Sequence, residues 1–316
     1  ETIVAEDVTT DRIVGVGSRA IRKLYVDGNQ RLIGYLSNLR GLPEIRSGTL
    51  LARGYRFLRS LHGDGQVPYY VTTIFDDNTL AKEVLTSGRA GLPQYAFYGR
   101  LLTYLIPLQR RRGYPIHVRR GVAESELTLV ESAVNDFNRR HQFAPVYARD
   151  DLCGVSRLLP GLSKEHFYVA WHNSEPNATL AVWDQSSFKQ TLVTSYARPL
   201  KFARPLLNIA ATFGFGMRLP PTGGSLPYLS TACLSATGDN PDALRAVLAA
   251  AVSDWAARGY AYLVIALADT HPLTRAVAKL SSLTLPSSVY LVCWGETATE
   301  ELPRQNIPIH LEAATL

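Results

Sequence analysis

No apolar run in this 316-residue chain reaches the roughly 18 residues that carry a helix across a bilayer. A membrane-spanning helix is therefore excluded, and no membrane partner is expected. No basic segment followed by an apolar core stands at the start, so nothing there reads as a secretory leader. Glu1 opens in what reads as mid-strand, and an N-terminal piece is expected to be absent or processed. Cysteine is scarce: Cys153, Cys233 and Cys293 are odd in number, widely spaced and set among apolar neighbours. They cannot form a disulfide framework and read as buried thiols of a reducing, cytoplasmic compartment. The Asn177-Ala178-Thr179 sequon is then a chance match.

Other absences narrow the chemistry. There is no CxxC or HxxxH spacing, and His166 and His172, six apart, read as structural or surface histidines, so no metal is expected. No G-x-S-x-G elbow marks a nucleophilic serine. The stretch GFGMRLP at 214–220 lacks a phosphate-loop lysine. Neither an RNP-like aromatic pattern nor a zinc or helix-turn-helix signature supports nucleic acid as a partner.

What is present is an ordinary globular composition, 46% hydrophobic and 19% charged, in a chain long enough for two cores. The net charge of +6 is unevenly placed. Residues 1–118 hold 16 Lys and Arg against 10 Asp and Glu, whereas the remainder holds 17 of each. An anionic ligand on the first third would account for that excess, as would a plain solvated surface.

Strand patterns occupy 2–6, 12–26 and 30–40, with a turn at VDGNQ. A helix follows near 47–62, where Leu50, Leu51, Tyr55, Leu58 and Leu61 recur at three- and four-residue steps and Arg53, Arg56 and Arg59 share the other side. A strand at 67–75, a short helix at 76–85 and a strand at 95–106 complete this part, and QRRRGYP at 109–115 reads as a linker. Beyond it come a strand at 115–120, a helix at 124–140, a shorter helix at 149–159 and strands at 167–171, 178–184 and 189–196. After a loop at 218–227, Asn240 caps a helix with Pro241 in its first turn and Gly259 past its end. Strands at 260–267, 288–294 and 307–313 and a helix at 272–281 close the chain.

The order strand, long helix, strand, short helix, strand occurs at 30–106 and again at 228–313. Long helices start near 47 and 241 and short ones near 77 and 271, an offset of about 194 both times. Equal offsets imply two copies of one domain rather than a short-period solenoid. Apolar runs after helices imply sheets covered on a face, so the fold class is α/β (mixed α+β).

Two stretches invite a ligand. IVGVGSRA at 13–20 contains G-x-G-x-x-A, but only IRKLYV separates Ala20 from Asp27, too little for the helix and strand that a dinucleotide site needs. Gly15 and Gly17 therefore read as close packing within a strand, and an NAD-dependent enzyme is the least supported reading. In YLSNLRGLPEIRSGTLLARGYRFL at 35–58 a strand passes a proline and becomes a basic helix at Ser47 and Gly48. A helix N-terminus offers unpaired N–H donors and partial positive charge, so a phosphate binds there readily. Arg46 and Arg53 could add charge-assisted contacts, and Gly48 would let the backbone approach an anion. An ordinary strand-to-helix turn fits the same residues.

GYLSNLRGLPEIRSGTLLARGYRFL followed by VPYYVTTIFDDNTLAKEVL resembles the GNAT family of N-acetyltransferases. There a strand ends in a turn, Arg-x-x-Gly-x-Gly opens a helix that holds the acetyl-CoA pyrophosphate, and the next strand leads to an Asn-x-x-Ala helix. Leu39 to Arg46 stands for the strand end and turn, and Asn78-Thr79-Leu80-Ala81 for the second motif. The resemblance covers 12–106 and, through the repeated order, extends over 115–316. It implies two tandem GNAT-like domains, 1–114 and 115–316, each a mixed, mostly antiparallel sheet flanked by helices, the first lacking its N-terminal elements.

What the resemblance implies for function is acetyl transfer from acetyl-CoA, as co-substrate, to a primary amine of a small molecule or peptide. Leu39, Arg40 and Gly41 would present backbone N–H groups to the acetyl carbonyl. Arg46, Ser47, Gly48, Thr49 and Leu50 would hold the pyrophosphate, and Asn78 would touch the pantetheine arm or cap its helix. Two departures matter: Gly48 comes one place early, and Leu85 stands where a general-acid tyrosine often sits. No base is identified, Asp76 and Asp77 reading as helix-capping acids. In the second copy SATGDNPDAL replaces the phosphate loop, and His271 takes the asparagine position. Asp239 and Asp242 would repel a phosphate there, so that copy is expected not to bind CoA. A non-catalytic GNAT-like protein that binds a CoA ester or another ligand without turnover is the alternative.

Overall fold

Alternating, β-branched sequence sets up a meander at the start of the chain. In the computed structural model, which describes residues 1–42, 49–89, 91–110, 115–196, 198–212, 219–256, 258–295 and 302–315, β1 (Thr2–Asp7), β2 (Arg12–Val26) and β3 (Asn29–Gly41) pair antiparallel. Asp27 and Gly28, with φ of 52° and 76°, make the two-residue turn between β2 and β3, the left-handed geometry that matches strand twist. β2 runs unbroken through Gly15 and Gly17, as the short spacing to Asp27 requires. Gly15 faces Gly41 across the ladder, and a Cβ on either would lie 3.4 or 3.8 Å from Leu50. The two glycines let the next helix settle on the sheet.

That helix, α1 (Leu50–His62), buries Tyr55 and Leu58. β4 (Tyr70–Phe75), α2 (Thr79–Leu85) and β5 (Gln94–Pro107) follow. Then come β6 (Val118–Arg120), α3 (Leu127–Arg139), β7 (Ala144–Pro145), α4 (Arg149–Leu152), β8 (Phe167–His172) and β9 (Glu175–Trp183). The chain finishes with α5 (Arg198–Thr212), β10 (Tyr228–Ala236), α6 (Pro241–Asp254), β11 (Tyr262–Ala268), α7 (Thr274–Ala278) and β12 (Leu283–Cys293). The strands form one sheet in the order β1-β2-β3-β4-β12-β5-β11-β10-β9-β8-β6, with β7 pairing β2. Only β3–β4 and β10–β11 run parallel among the described pairs. β12 lies between β4 and β5, and β5 between β12 and β11, so the sheet continues across the linker region, of which Arg111 to Tyr114 lie outside the described residues.

One face carries α1, α2, α6 and α7. Leu36, Tyr70, Ile74 and Val292 meet Tyr55, Leu58 and Leu85 there, and Ile106, Leu263 and Ile265 meet Leu244, Val247, Leu248 and Val277. The other face carries α3 and the closing segment, whose Ile309 and Leu311 pack on Ile33, Val71, Ala266 and Val289. Burying each of these larger side chains contributes on the order of 1.5–3 kcal/mol. α6 is capped as its sequence implies: the Asn240 side chain accepts from Asp242 and Ala243 N–H, and Pro241 stands in the first turn. The helix stops at Asp254, five residues before Gly259, whose φ is +87°.

Three stretches differ from their sequence reading. Residues 189–196 make only an isolated bridge, Leu192 to Ser225, and α5 follows where no helix was read. Residues 307–313 alternate like a strand, yet among the described residues their only ladder contact is with Gln142, through Pro308 and His310, before a 3-10 turn at Ala313–Thr315. Their apolar residues pack on the face of the sheet instead of extending it. The helix read at 149–159 closes after Leu152.

Candidate active site: two forks in one sheet

β3 and β4 pair at Gly34–Tyr70 and Tyr35–Val71 and then part, β3 staying with β2 to Gly41 while β4 stays with β12 to Phe75. The fork is tight at its base. A Cβ on Gly34 would sit 2.1 Å from Tyr70 Cδ1. Just past the last pair, the Thr72 hydroxyl donates to the Leu36 carbonyl at 2.8 Å, and the Tyr35 and Thr73 hydroxyls bond at 2.9 Å. Burial pushes Tyr35 up to about 12, so it keeps its proton at neutral pH and does not serve as a base.

Where the strands separate, β3 carries a bulge: Asn38 and Leu39 together oppose Gly17. Asn38 takes φ +56°, a left-handed conformation that asparagine tolerates. A bulge leaves the ladder and re-aims the backbone, and Leu39, 52% exposed, follows it. Arg40 and Gly41 are also exposed, at the strand end. Arg46, Ser47 and Gly48 lie outside the described residues. Thr49 is the N-cap of α1 but makes no side-chain capping bond, and Leu50 begins the helix with no acid in its first turn. The first-turn N–H groups have no intrahelical partner by geometry.

Asn78 caps α2, its Oδ1 accepting from Ala81 N–H at 3.2 Å. Asp76 does not cap. Lys82, Arg100 and the Ser288 hydroxyl all bond its carboxylate and hold it well below the usual carboxylate range against the cost of burial. Leu85 is buried among Tyr55, Leu58 and Tyr70, so an apolar core contact occupies the place the resemblance gives to a tyrosine. Among the described residues no group of three or more His, Cys, Asp or Glu side chains could hold a metal.

The second parallel pair repeats the first. β10 and β11 pair from Tyr228–Tyr262 to Ser230–Val264, and Thr231 bridges the fork by donating to the Val264 carbonyl at 3.0 Å. Cys233 and Leu234 together oppose Leu180, and Cys233 takes φ +53°. This fork is filled. The Leu234 N–H donates to Glu312 Oε1 at 3.3 Å, and the other carboxylate oxygen accepts from the Tyr147 hydroxyl. Beside them Phe137, His141, His271 and His310 pack ring on ring, His141 and His271 stacked at 4.7 Å. The His271 ring accepts from Leu273 N–H at 3.0 Å in the turn before α7, whose N-cap, Leu273, makes no side-chain capping bond. Arg140 pairs with Asp239 in the turn before α6. A hollow of about 360 Å³ beside His271, just past the end of β11, is lined by Asp269, Thr274 and Arg275.

Sequence reasoning placed the opening at Leu39 to Gly41 but missed the Asn38 bulge and the Thr72 bridge. It also missed Glu312, because nothing local to IPIHLEA distinguishes a plug from a strand.

No family model matches the chain, and no curated protein matches it. By structure it is similar to N-myristoyltransferase of Saccharomyces cerevisiae with bound myristoyl-CoA, at TM-score 0.53 and 10% identity over 97% of this chain and 75% of that one. Another structure of that enzyme gives 0.54 and 11% over 92% and 66%. A GCN5-related N-acetyltransferase from Kribbella flavida gives 0.47 and 11% over 89% of this chain and 57% of that one. The chain therefore spans little more than half of the latter protein. It has the GNAT fold, a mixed sheet, mostly antiparallel, flanked by helices.

Proposed function

We propose that the chain is an acyl-CoA-dependent N-acyltransferase that takes its CoA ester, acetyl-CoA by the motif resemblance, into the fork between β3 and β4. The acceptor is a primary amine of a small molecule or peptide. One observation carries this reading: the two forks share a bulge, but a carboxylate sits on the second bulge amide while the first bulge is exposed. Similarity to a fold that holds myristoyl-CoA in yeast N-myristoyltransferase supports a CoA ester as the ligand.

In this reading the amine nitrogen attacks the thioester carbonyl. Negative charge collects on the carbonyl oxygen, where the backbone N–H of Leu39, with Arg40 and Gly41 behind it, stabilises it. The C–S bond then breaks, the CoA thiolate leaves and takes up a proton, and the nitrogen loses one. Arg46, Ser47, Gly48, Thr49 and Leu50 hold the pyrophosphate with main-chain donors at the positive end of α1. Asn78 acts through its cap, fixing α2 beside the pantetheine arm. Residues 1–114 and 115–316 are two copies of one unit, the second having given up CoA to its own Glu312.

A CoA-ester binder without turnover is the second reading, favoured by the buried Leu85 where a proton donor would be useful. Calorimetric titration with acetyl-CoA, followed by a thiol-release screen over amines, separates the two. Binding with release supports the enzyme, and binding that stays silent supports the second reading. No binding of acetyl-CoA or longer acyl-CoA sinks both.

A further inference from the structure

Neighbouring antiparallel strands need only a short turn. β2 and β3 use two residues, Asp27 and Gly28, but β9 and β10 are joined by residues 184–227. Connections of that length in a folded domain usually serve a function. α5 lies in the middle of this one.

α5 is amphipathic in the opposite sense to a helix that covers a core. Its inward side is polar and small. Leu219 receives both the Arg204 guanidinium and the Asn208 amide on its carbonyl, at 3.2 and 3.1 Å, and donates its own N–H to Asn208 Oδ1 at 2.7 Å. Ala203 and Ala211 are half-buried beside them. Its outward side is apolar: Phe202 is 79% exposed, Leu206 72% and Ile209 58%, four and three residues apart and so on one stripe. Leu200 and Leu207 are exposed as well.

Charge identifies what such a stripe fits. From Gln185 to Gly238 the sequence contains no Asp or Glu and five basic residues, Lys189, Arg198, Lys201, Arg204 and Arg218. Arg198 and Lys201 are exposed within α5 itself. A second copy of this helix would set cation against cation. A nucleic acid would use the cations but leave Leu206 and Ile209 in water. A bilayer with anionic headgroups takes both, acyl chains against Phe202 and Leu206 and headgroups against the basic side chains.

Against the expectation of no membrane partner, we infer that α5 docks the protein onto anionic lipid surfaces, lying in the headgroup plane without spanning. This inference stands on α5 and the charge of its loop and does not depend on the fork between β3 and β4. The test is flotation of the full chain with vesicles of phosphatidylcholine alone or with about one third phosphatidylglycerol. Partition onto the anionic vesicles should exceed that onto neutral ones at least tenfold and fall with added salt. Phe202→Glu with Leu206→Glu should remove it while leaving the circular dichroism spectrum and melting temperature unchanged. Lys201→Glu alone should weaken it severalfold. Equal partition onto both vesicles, no partition onto either, or loss of a self-association in place of lipid binding on the double substitution would each overturn the inference.

Discussion

The backbone N–H of Leu234 donates to the Glu312 carboxylate at 3.3 Å, on a bulge that matches the one carrying Leu39 in the other fork. A single acidic side chain thus occupies, in one half of the sheet, the kind of amide that the other half presents outward. Glu312 is 4% exposed, and the Tyr147 hydroxyl shares it. Glu312→Ala leaves that hydroxyl and amide buried without an acceptor, at about 1–3 kcal/mol each. Urea melts should show a loss of about 2–6 kcal/mol, while acetyl-CoA affinity stays within a factor of two. A loss below about 1 kcal/mol would mean that the carboxylate is no structural plug.

Arg46 is assigned to the pyrophosphate by motif position, and charge reversal tests that assignment. Arg46→Glu should raise the Kd for acetyl-CoA at least tenfold, about 1.4 kcal/mol or more. Arg245→Glu supplies the control, since Arg245 lies in α6, whose N-terminus Asn240 already caps. That substitution should leave Kd unchanged. Equal effects of the two would remove the first helix from the binding site.

The base of the open fork was legible in part. Gly15 and Gly17 read as strand because the spacing to Asp27 leaves no room for a helix, and Asn240-Pro241 announced α6, since caps act through residues next to them in sequence. The forks themselves depend on which strands part, a tertiary property. Asn38 and Cys233 look like ordinary strand residues until the opposing strand shows one residue too few. α5 escaped notice for a related reason. Pro199 and Pro205 suggest a broken chain, and its apolar residues face away from the core that periodicity arguments assume. Ile307, Ile309 and Leu311 alternate as a strand would, but Ile309 and Leu311 are buried against the face of the sheet and do not join its ladder.

Gly34 holds the base of the fork closed. A methyl group there would meet the Tyr70 ring at 2.1 Å. Tyr70 has nowhere to go, packed between His62 and Trp294 with the Arg19 guanidinium over its face. Gly34→Ala should therefore cost at least the 1–3 kcal/mol typical of overpacking and force β3 from β4. Thermal denaturation measures the cost. An unchanged melting temperature would show that the strands are not locked at this point.

The plugged fork should also make the fold acid-sensitive. His141 and His271 are lowered to about 3 and about 2, first by burial and then by the neighbouring His310; His141 and Arg140 add to the effect on His271. The groups facing them are Arg140 and His310 together with Glu312, 3.7 Å from His310 Nε2, and the backbone carbonyl of Phe137, which bonds His141 Nδ1. An unfolded chain takes up protons on both rings as pH falls past the ordinary histidine value near 6.5. The folded chain does not until far lower pH, so protons favour unfolding across the window between. Stability should be complete above about pH 7 and should fall below 6.5 by about 1.4 kcal/mol per pH unit for each ring. His271→Asn keeps a side-chain acceptor for the Leu273 N–H and removes one of these two rings. Urea melts at pH 7, 6, 5 and 4 should then show a slope shallower by about 1.4 kcal/mol per pH unit, whatever the variant loses at neutral pH. A slope that stays the same would place the acid sensitivity elsewhere, in carboxylates such as Asp76 that the fold holds ionised.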